Sequence, residues 1–293
     1  MYRIYTSLLL FVTVALFGQE PGIIAENAKV TQAGTGYAFT EGPAVSPDGS
    51  VYFTDQPSDR IYVWNENREI ALWSDDTGRS NGMYFDAEGE LVACADLHNQ
   101  LAYFESDKKR HLLFENYEDK HLNGPNDLWI APNGDIYFTD PYYHRDYWEE
   151  GHTEAQDTRG VYHLSSDGVI TRVIDDYKQP NGIIGTPDGK TLYVADINDG
   201  KIWKYDIRPD GTLTGKTFFA PKGSDGMTID EQGNIYLTMG KVWVYSPGGE
   251  LIQEIEVPES PSNACFGGKE RNTLFITART SVYTLQMNVK GVD

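Results

Sequence analysis

Cysteine is almost missing from this 293-residue chain, which has only Cys94 and Cys265. Both fall in repeats that are not neighbours in the pattern set out below, so no disulfide framework and no thiolate metal site is expected. Positive charge is scarce too: 24 Lys and Arg face 44 Asp and Glu, a net charge of −20. That field repels phosphate backbones and anionic lipid surfaces, which argues against nucleic acid or a membrane as partner. The same field draws divalent cations toward any cleft that focuses it. After residue 25 no stretch sustains a helical period, which argues against a helical architecture. Neither His98 nor His144 sits beside a serine in a recognisable nucleophile setting, so a serine-triad esterase finds no support.

What the chain has in abundance is turn-and-strand units. Glycine numbers 29, aromatics make up 13%, and short alternating apolar runs are punctuated by PDG, EG and NG turns. One signature recurs six times: SPDGSVYFTD (46–55), DAEGELVACAD (86–96), APNGDIYFTD (131–140), TPDGKTLYVAD (186–196), DEQGNIYLTM (230–239) and GGKERNTLFITA (267–278). A second landmark follows each: RIYVWN (60–65), QLAYFE (100–105), GVYHLS (160–165), KIWKYD (201–206), KVWVYS (241–246) and SVYTLQ (281–286). Four strands per unit and six units predict an all-β, six-bladed β-propeller. The expected domain covers residues 27–290. The last unit lacks its own fourth strand, and NAKVTQAGT (27–35) is expected to supply it and close the ring. A β-sandwich is the alternative reading of such spacing.

Residues 1–18 have the pattern of a secretory signal peptide: Arg3, an apolar run from Leu8 to Phe17, then Gly18. The expected destination is secreted or periplasmic, with no membrane attachment once the signal is removed.

Just ahead of each signature stands one oxygen-bearing residue: Glu41, Asn81, Asn126, Asn181, Asp225 and Asn263. In a propeller these six converge on the axis. One Glu, one Asp and four Asn offer hard oxygen donors, suited to Ca²⁺ and less well to Mg²⁺ or Mn²⁺. Asn or Asp before Gly is also an ordinary turn former, but Glu41 has little such propensity. Loops joining second to third strands share the face with these six residues. One of them, Pro141–Thr158, is a conspicuous insertion carrying Tyr142, Tyr143, His144, Tyr147 and Trp148. His98 and His144 are titratable candidates on this face. Asp55, Asp96, Asp140 and Asp196 end the second strands, where they are expected to brace loops.

The motifs EGP (41–43), NGPND (123–127), YFTDPYY (137–143), QPNGI (179–183), SDGM (224–227) and NACFGG (263–268), in this order and at blade spacing, resemble the gluconolactonase/regucalcin family of six-bladed propellers from residue 39 to 287. The resemblance implies an axial divalent metal ion, Ca²⁺ first with Mg²⁺, Mn²⁺ or Zn²⁺ as alternatives. It also implies hydrolysis of a sugar (gluconolactone-like) lactone to the aldonic acid by a carboxylic ester hydrolase. The family's metal-binding residues fall on Glu41, Asn181 and Asp225. Its substrate-contacting Asn falls on Asn126, which is also counted with the ligands. Asp225 is the expected general base as well as a ligand. Members of the regucalcin type carry Arg two residues ahead of that Asn, where this chain has Gly124; Asn123 is the expected replacement. The expected substrate contacts are therefore Asn126, Asn123, His98, Tyr142 and His144, and the expected partner is a small-molecule lactone. Two rival readings stand beside this one: a non-catalytic propeller that binds a ligand or protein through the same face, and a bond-forming enzyme of the strictosidine synthase-like kind, which would want an unmetallated pocket with a Glu base.

Overall fold

A computed structural model of the chain describes residues 22–292, so the expected signal segment 1–18 lies outside the described residues. Six four-stranded antiparallel sheets succeed one another as a six-bladed propeller. The first blade runs Thr40–Val45, Val51–Asp55, Arg60–Trp64 and Ile70–Ser74, from the axis outward. The inner strands of the other five are Ser80–Phe85, Leu128–Ile130, Pro180–Gly185, Met227–Ile229 and Pro261–Gly267.

Local chemistry sets each hairpin. In the first blade Asp48 Oδ1 accepts hydrogen bonds from Ser46 Oγ at 2.6 Å and Ser50 N at 2.8 Å, closing the turn between inner and second strands. Asp86 does the same for Glu88 N and Glu90 N in the second blade. The second strands are sandwiched between neighbouring blades, and Leu91–Ala95 and Ile136–Asp140 are buried along their whole length. Aromatic side chains fasten one blade to the next. Tyr52 meets Phe85 edge-on at 5.1 Å between the first and second blades, and Phe53 meets Phe275 at 5.5 Å between the first and sixth. Phe53, Phe138 and Phe275 have no exposed surface, each burial contributing roughly 1.5–3 kcal/mol.

The ring closes as the missing fourth strand predicts. Thr31–Thr35 pairs antiparallel with Ser281–Gln286 and forms the outer strand of the sixth blade. Glu259 fixes the seam, accepting hydrogen bonds from Thr280 N at 2.9 Å, Thr280 Oγ1 at 3.0 Å and Tyr283 OH at 3.0 Å. Cys94 and Cys265 are both buried and not joined in a disulfide. Burial pushes the Cys94 thiol well above its ordinary value, so it is inert at neutral pH.

Candidate active site on the propeller axis

Inner strands in a propeller approach one another closely at the axis, and the glycine that follows an axial residue makes that approach feasible. Gly42 has φ +40°, and a Cβ there would run into the backbone of Asn81 and approach Gly82 Cα at 2.8 Å. At Gly226 a Cβ would occupy the Asn263 side chain. The residue-plus-glycine pattern therefore marks where one blade's polar residue fits against the next blade's backbone. It is not a turn signal.

Where the strands begin, a cavity of about 500 Å³ opens on the face carrying the second-to-third-strand loops. Its wall includes Glu41, Asn81, Asn126, Asn181 and Asp225, five of the six residues expected to converge. Asn263 lies below it: its Oδ1 accepts Ala264 N at 2.8 Å, and its side chain hydrogen-bonds Asp127. Two other hollows, of about 390 and 1020 Å³, lie among the strand-turn loops of the opposite face and hold no comparable convergence.

Within the axial cavity Asn181 Nδ2 donates to Asp225 Oδ1 at 2.9 Å and to Tyr143 OH at 2.8 Å. This leaves Asn181 Oδ1 buried with no protein partner among the described residues. Among the described residues Glu41 Oε2 accepts only its neighbour's amide, Gly42 N, at 3.2 Å. Burial, followed by the charge of Asp225, holds the Glu41 carboxyl well above the usual range. Burial pushes Asp225 up to about 6 although Asn181, Arg279 and Arg145 pull the other way. Two buried carboxylates, neither in a salt bridge among the described residues, thus face one space with an orphan amide oxygen, and the donors are all hard oxygens. That combination fits a hard divalent ion. Among the described residues no three His, Cys, Asp or Glu side chains form a cluster that could hold a metal ion.

Three titratable residues, two on the cavity wall and one beneath it, were not read from the sequence as ligands or substrate contacts. Tyr143 and Arg145 reach the wall from the insertion 141–158. Burial raises the Tyr143 hydroxyl to about 12, so it stays protonated at neutral pH. Asp127 lies on the axis beneath the cavity, fully buried, hydrogen-bonded to Leu128 N, Ile183 N and the Asn263 side chain, and raised by burial to about 8. Its signal was the NGPND motif, where Asp stands at the position that glycine takes in most other blades.

Other expected contacts are elsewhere. Asn123 is fully buried and holds the end of the insertion, donating Nδ2 to Thr158 O at 3.0 Å and accepting Ala155 N and Gln156 N. His98 and His144 are exposed, and neither lines the cavity. Tyr142 packs into the insertion, its hydroxyl donating to His152 O at 3.2 Å. The aspartates ending the second strands do brace loops. Asp55 accepts Ala38 N and Phe39 N, Asp140 accepts Asn123 N and Gly124 N, and Asp196 accepts Lys178 N and Gln179 N.

With this geometry in place, the fold and site together define a six-bladed propeller with an oxygen-lined axial cavity. Residues 39–280 match the family described as SMP-30/gluconolactonase/LRE-like region, and the chain belongs to that family. It is 29% identical to a gluconolactonase of Zymomonas mobilis over 284 residues, covering 86% of this chain and 80% of that one. Among solved structures it is similar to a gluconolactonase of Xanthomonas campestris, at 29% identity and a TM-score of 0.84, covering 92% of this chain and 95% of that one. A calcium-binding regucalcin of Agrobacterium tumefaciens shares the fold at 20% identity and a TM-score of 0.75, covering 92% of this chain and 95% of that one.

Proposed function

We propose that this protein hydrolyses a lactone of a sugar-like polyhydroxy acid in the axial cavity, with a divalent cation as cofactor. The observation that carries the reading is the unpartnered Asn181 Oδ1 beside the buried carboxylates of Glu41 and Asp225, in a chain of the gluconolactonase family. Glu41, Asn126, Asn181 and Asp225 would hold the cation, Ca²⁺ by donor chemistry, which supplies Lewis acidity toward the ester carbonyl when bound.

The chain's own groups do the rest. Asp225, kept in orientation by the Asn181 amide, holds a water against the acyl carbon and takes its proton. A bond forms from that water oxygen to the acyl carbon, and the bond from the acyl carbon to the ring oxygen breaks. The proton on Asp225 passes to the departing oxygen, which leaves as a hydroxyl on the same molecule. Tyr143, protonated and directed at Asn181, screens this face from bulk water. The apolar signal pattern at residues 1–18 supports action outside the cytoplasm.

Acid release from glucono-δ-lactone, followed in a pH-stat with and without EDTA, tests the reading. Turnover that EDTA abolishes and Ca²⁺ restores supports it. Turnover indifferent to EDTA removes the cation from the scheme, and the absence of turnover in Ca²⁺ removes the lactonase.

A further inference from the structure

The second blade departs from the other aspartate-braced blades in one respect. Asp55, Asp140 and Asp196 spend their carboxylates on backbone amides of their own blade's loop, but Asp96 does not. Asp59 from the preceding blade does that work instead, accepting Thr77 N at 3.1 Å, Thr77 Oγ1 at 2.8 Å and Arg79 N at 2.6 Å. Asp96 is thereby released, and the insertion 141–158 uses it. Arg145 Nε donates to Asp96 Oδ2 at 2.7 Å, Tyr147 OH donates to the same oxygen, and Trp148 Nε1 donates to Asp96 O at 3.0 Å. Gln56 Nε2 completes the set at 3.1 Å.

Gly124 belongs to this arrangement. With φ +148°, it leaves a space in which a Cβ would meet Asp96 Oδ1 at 2.9 Å and the Trp148 ring at 3.3 Å. A guanidinium cannot come from residue 124 while the insertion is seated; it comes from residue 145. Only Nε of Arg145 is engaged by Asp96, and among the described residues its two Nη nitrogens have no protein partner. The side chain is 21% exposed, lines the axial cavity, and lies over the Tyr143 ring at 5.3 Å.

We propose that Arg145, oriented by Asp96, is a specificity-determining residue that donates its Nη hydrogens to ring hydroxyls of a neutral, polyhydroxylated lactone. This rests on the lactonase reading above and adds the substrate feature that is recognised. The choice of a neutral substrate follows from charge: Asp96 already balances the guanidinium, and Glu41 and Asp225 share the cavity, so no net positive field remains for an anionic lactone. What the pair offers is direction, two fixed donors pointing at hydroxyl oxygens.

The test compares glucono-δ-lactone with δ-valerolactone, which has the same ring and no hydroxyls. Hydrogen bonds to a charged group correspond to roughly ten- to hundredfold in affinity. Arg145→Gln is expected to lower the ratio of kcat/KM for the two lactones, hydroxylated over plain, at least tenfold, mainly through KM for glucono-δ-lactone. Arg145→Lys keeps a cation against Asp96 without the paired donors and carries the same expectation if the glutamine variant does not fold. A merely structural role would depress both substrates together and leave the ratio alone. A ratio that falls less than tenfold overturns the role of Arg145 while leaving the lactonase reading intact. Wild-type protein that turns over neither lactone overturns both.

Discussion

Asn181 gives both hydrogens of its amide away, one to Asp225 at 2.9 Å and one to Tyr143 at 2.8 Å, so that its oxygen is left facing the cavity with nothing to accept. An unpaired buried acceptor costs roughly 1–3 kcal/mol and persists where a ligand answers it. Replacing Asn181 with Asp adds a third carboxylate to the cavity. In Ca²⁺ the variant is expected to retain cation binding; in EDTA its Tm should fall below that of the wild type, because a third buried negative charge is left unbalanced. Differential scanning fluorimetry in the two buffers reads both.

Removing the proposed base has a sharper signature. Asp225→Ala takes away the carboxylate that turns the water and one oxygen from the cation site. We expect kcat/KM for glucono-δ-lactone to drop roughly 10²–10⁴-fold, with loss of the Ca²⁺-dependent rise in Tm. Initial rates and a thermal titration check the two parts separately. A variant that still turns over at a tenth of the wild-type rate would remove Asp225 from the chemistry.

The pH dependence of cation binding follows from the same carboxyl. Asp225 titrates near 6 in the cation-free fold, above its ordinary 3.8. The folded chain therefore holds that proton more tightly than the unfolded one, and this group's contribution to cation-free stability falls as pH rises from about 4 to about 6. Above that range the ionised form is ready to bind a cation; below it the neutral acid is not. The Tm increment from saturating Ca²⁺, expected to be several degrees at pH 7.5, should shrink steadily toward pH 5. An increment that is constant over this range contradicts the assignment.

Asp127 offers a test that does not involve turnover. Raised by burial to about 8, it is predominantly neutral at pH 7 in the folded chain, whereas the unfolded chain ionises it near its ordinary 3.8. Its contribution to stability therefore declines as pH rises from about 4 and levels off above about 8. Asp127→Asn keeps the shape and removes the titration. The variant should match the wild type near pH 4 and become progressively more stable than it toward pH 8 in urea unfolding. Asp127→Ala strands the Ile183 amide and the Asn263 side chain and should cost roughly 1–3 kcal/mol.

Gly42 makes a steric prediction. A methyl group there would collide with the Asn81 backbone in a conformation, φ +40°, that side chains rarely adopt. Gly42→Ala should destabilise the protein by roughly 1–3 kcal/mol and displace Glu41, seen as a lower urea midpoint together with weaker Ca²⁺ binding.

The blade count and the axial residues were legible because each is a local signal that recurs once per blade, and the N-terminal closing strand because the last repeat lacks a fourth strand of its own. Six copies of the second-strand signature place six inner strands, and the residue ahead of each falls at the axis whatever the loops do. The residues that line the cavity from the insertion were not legible in the same way. Tyr142 and Tyr143 are adjacent in sequence and aromatic alike, yet only Tyr143 reaches the wall; which of them points inward depends on how residues 141–158 are anchored. The anchors are Asp96, some fifty residues earlier, and Asn123, and neither pairing follows a period. For the same reason Arg145 went unread, Asn123 proved to be an anchor, and His98 and His144 stand away from the cavity. Asp127 was legible in principle, since a carboxylate in the glycine position breaks the repeat.

The seam between Thr31–Thr35 and Ser281–Gln286 has a bearing on biosynthesis. Gln32 and Ser281, which meet across it, are 249 residues apart, so Thr31–Thr35 has no companion until the sixth blade has been translated. During that interval Thr31–Thr35 is an unpaired β segment, and five completed blades can only form an open arc. Chaperone protection suits such an assembly order, because the ring can lock only once the strand Ser281–Gln286 arrives.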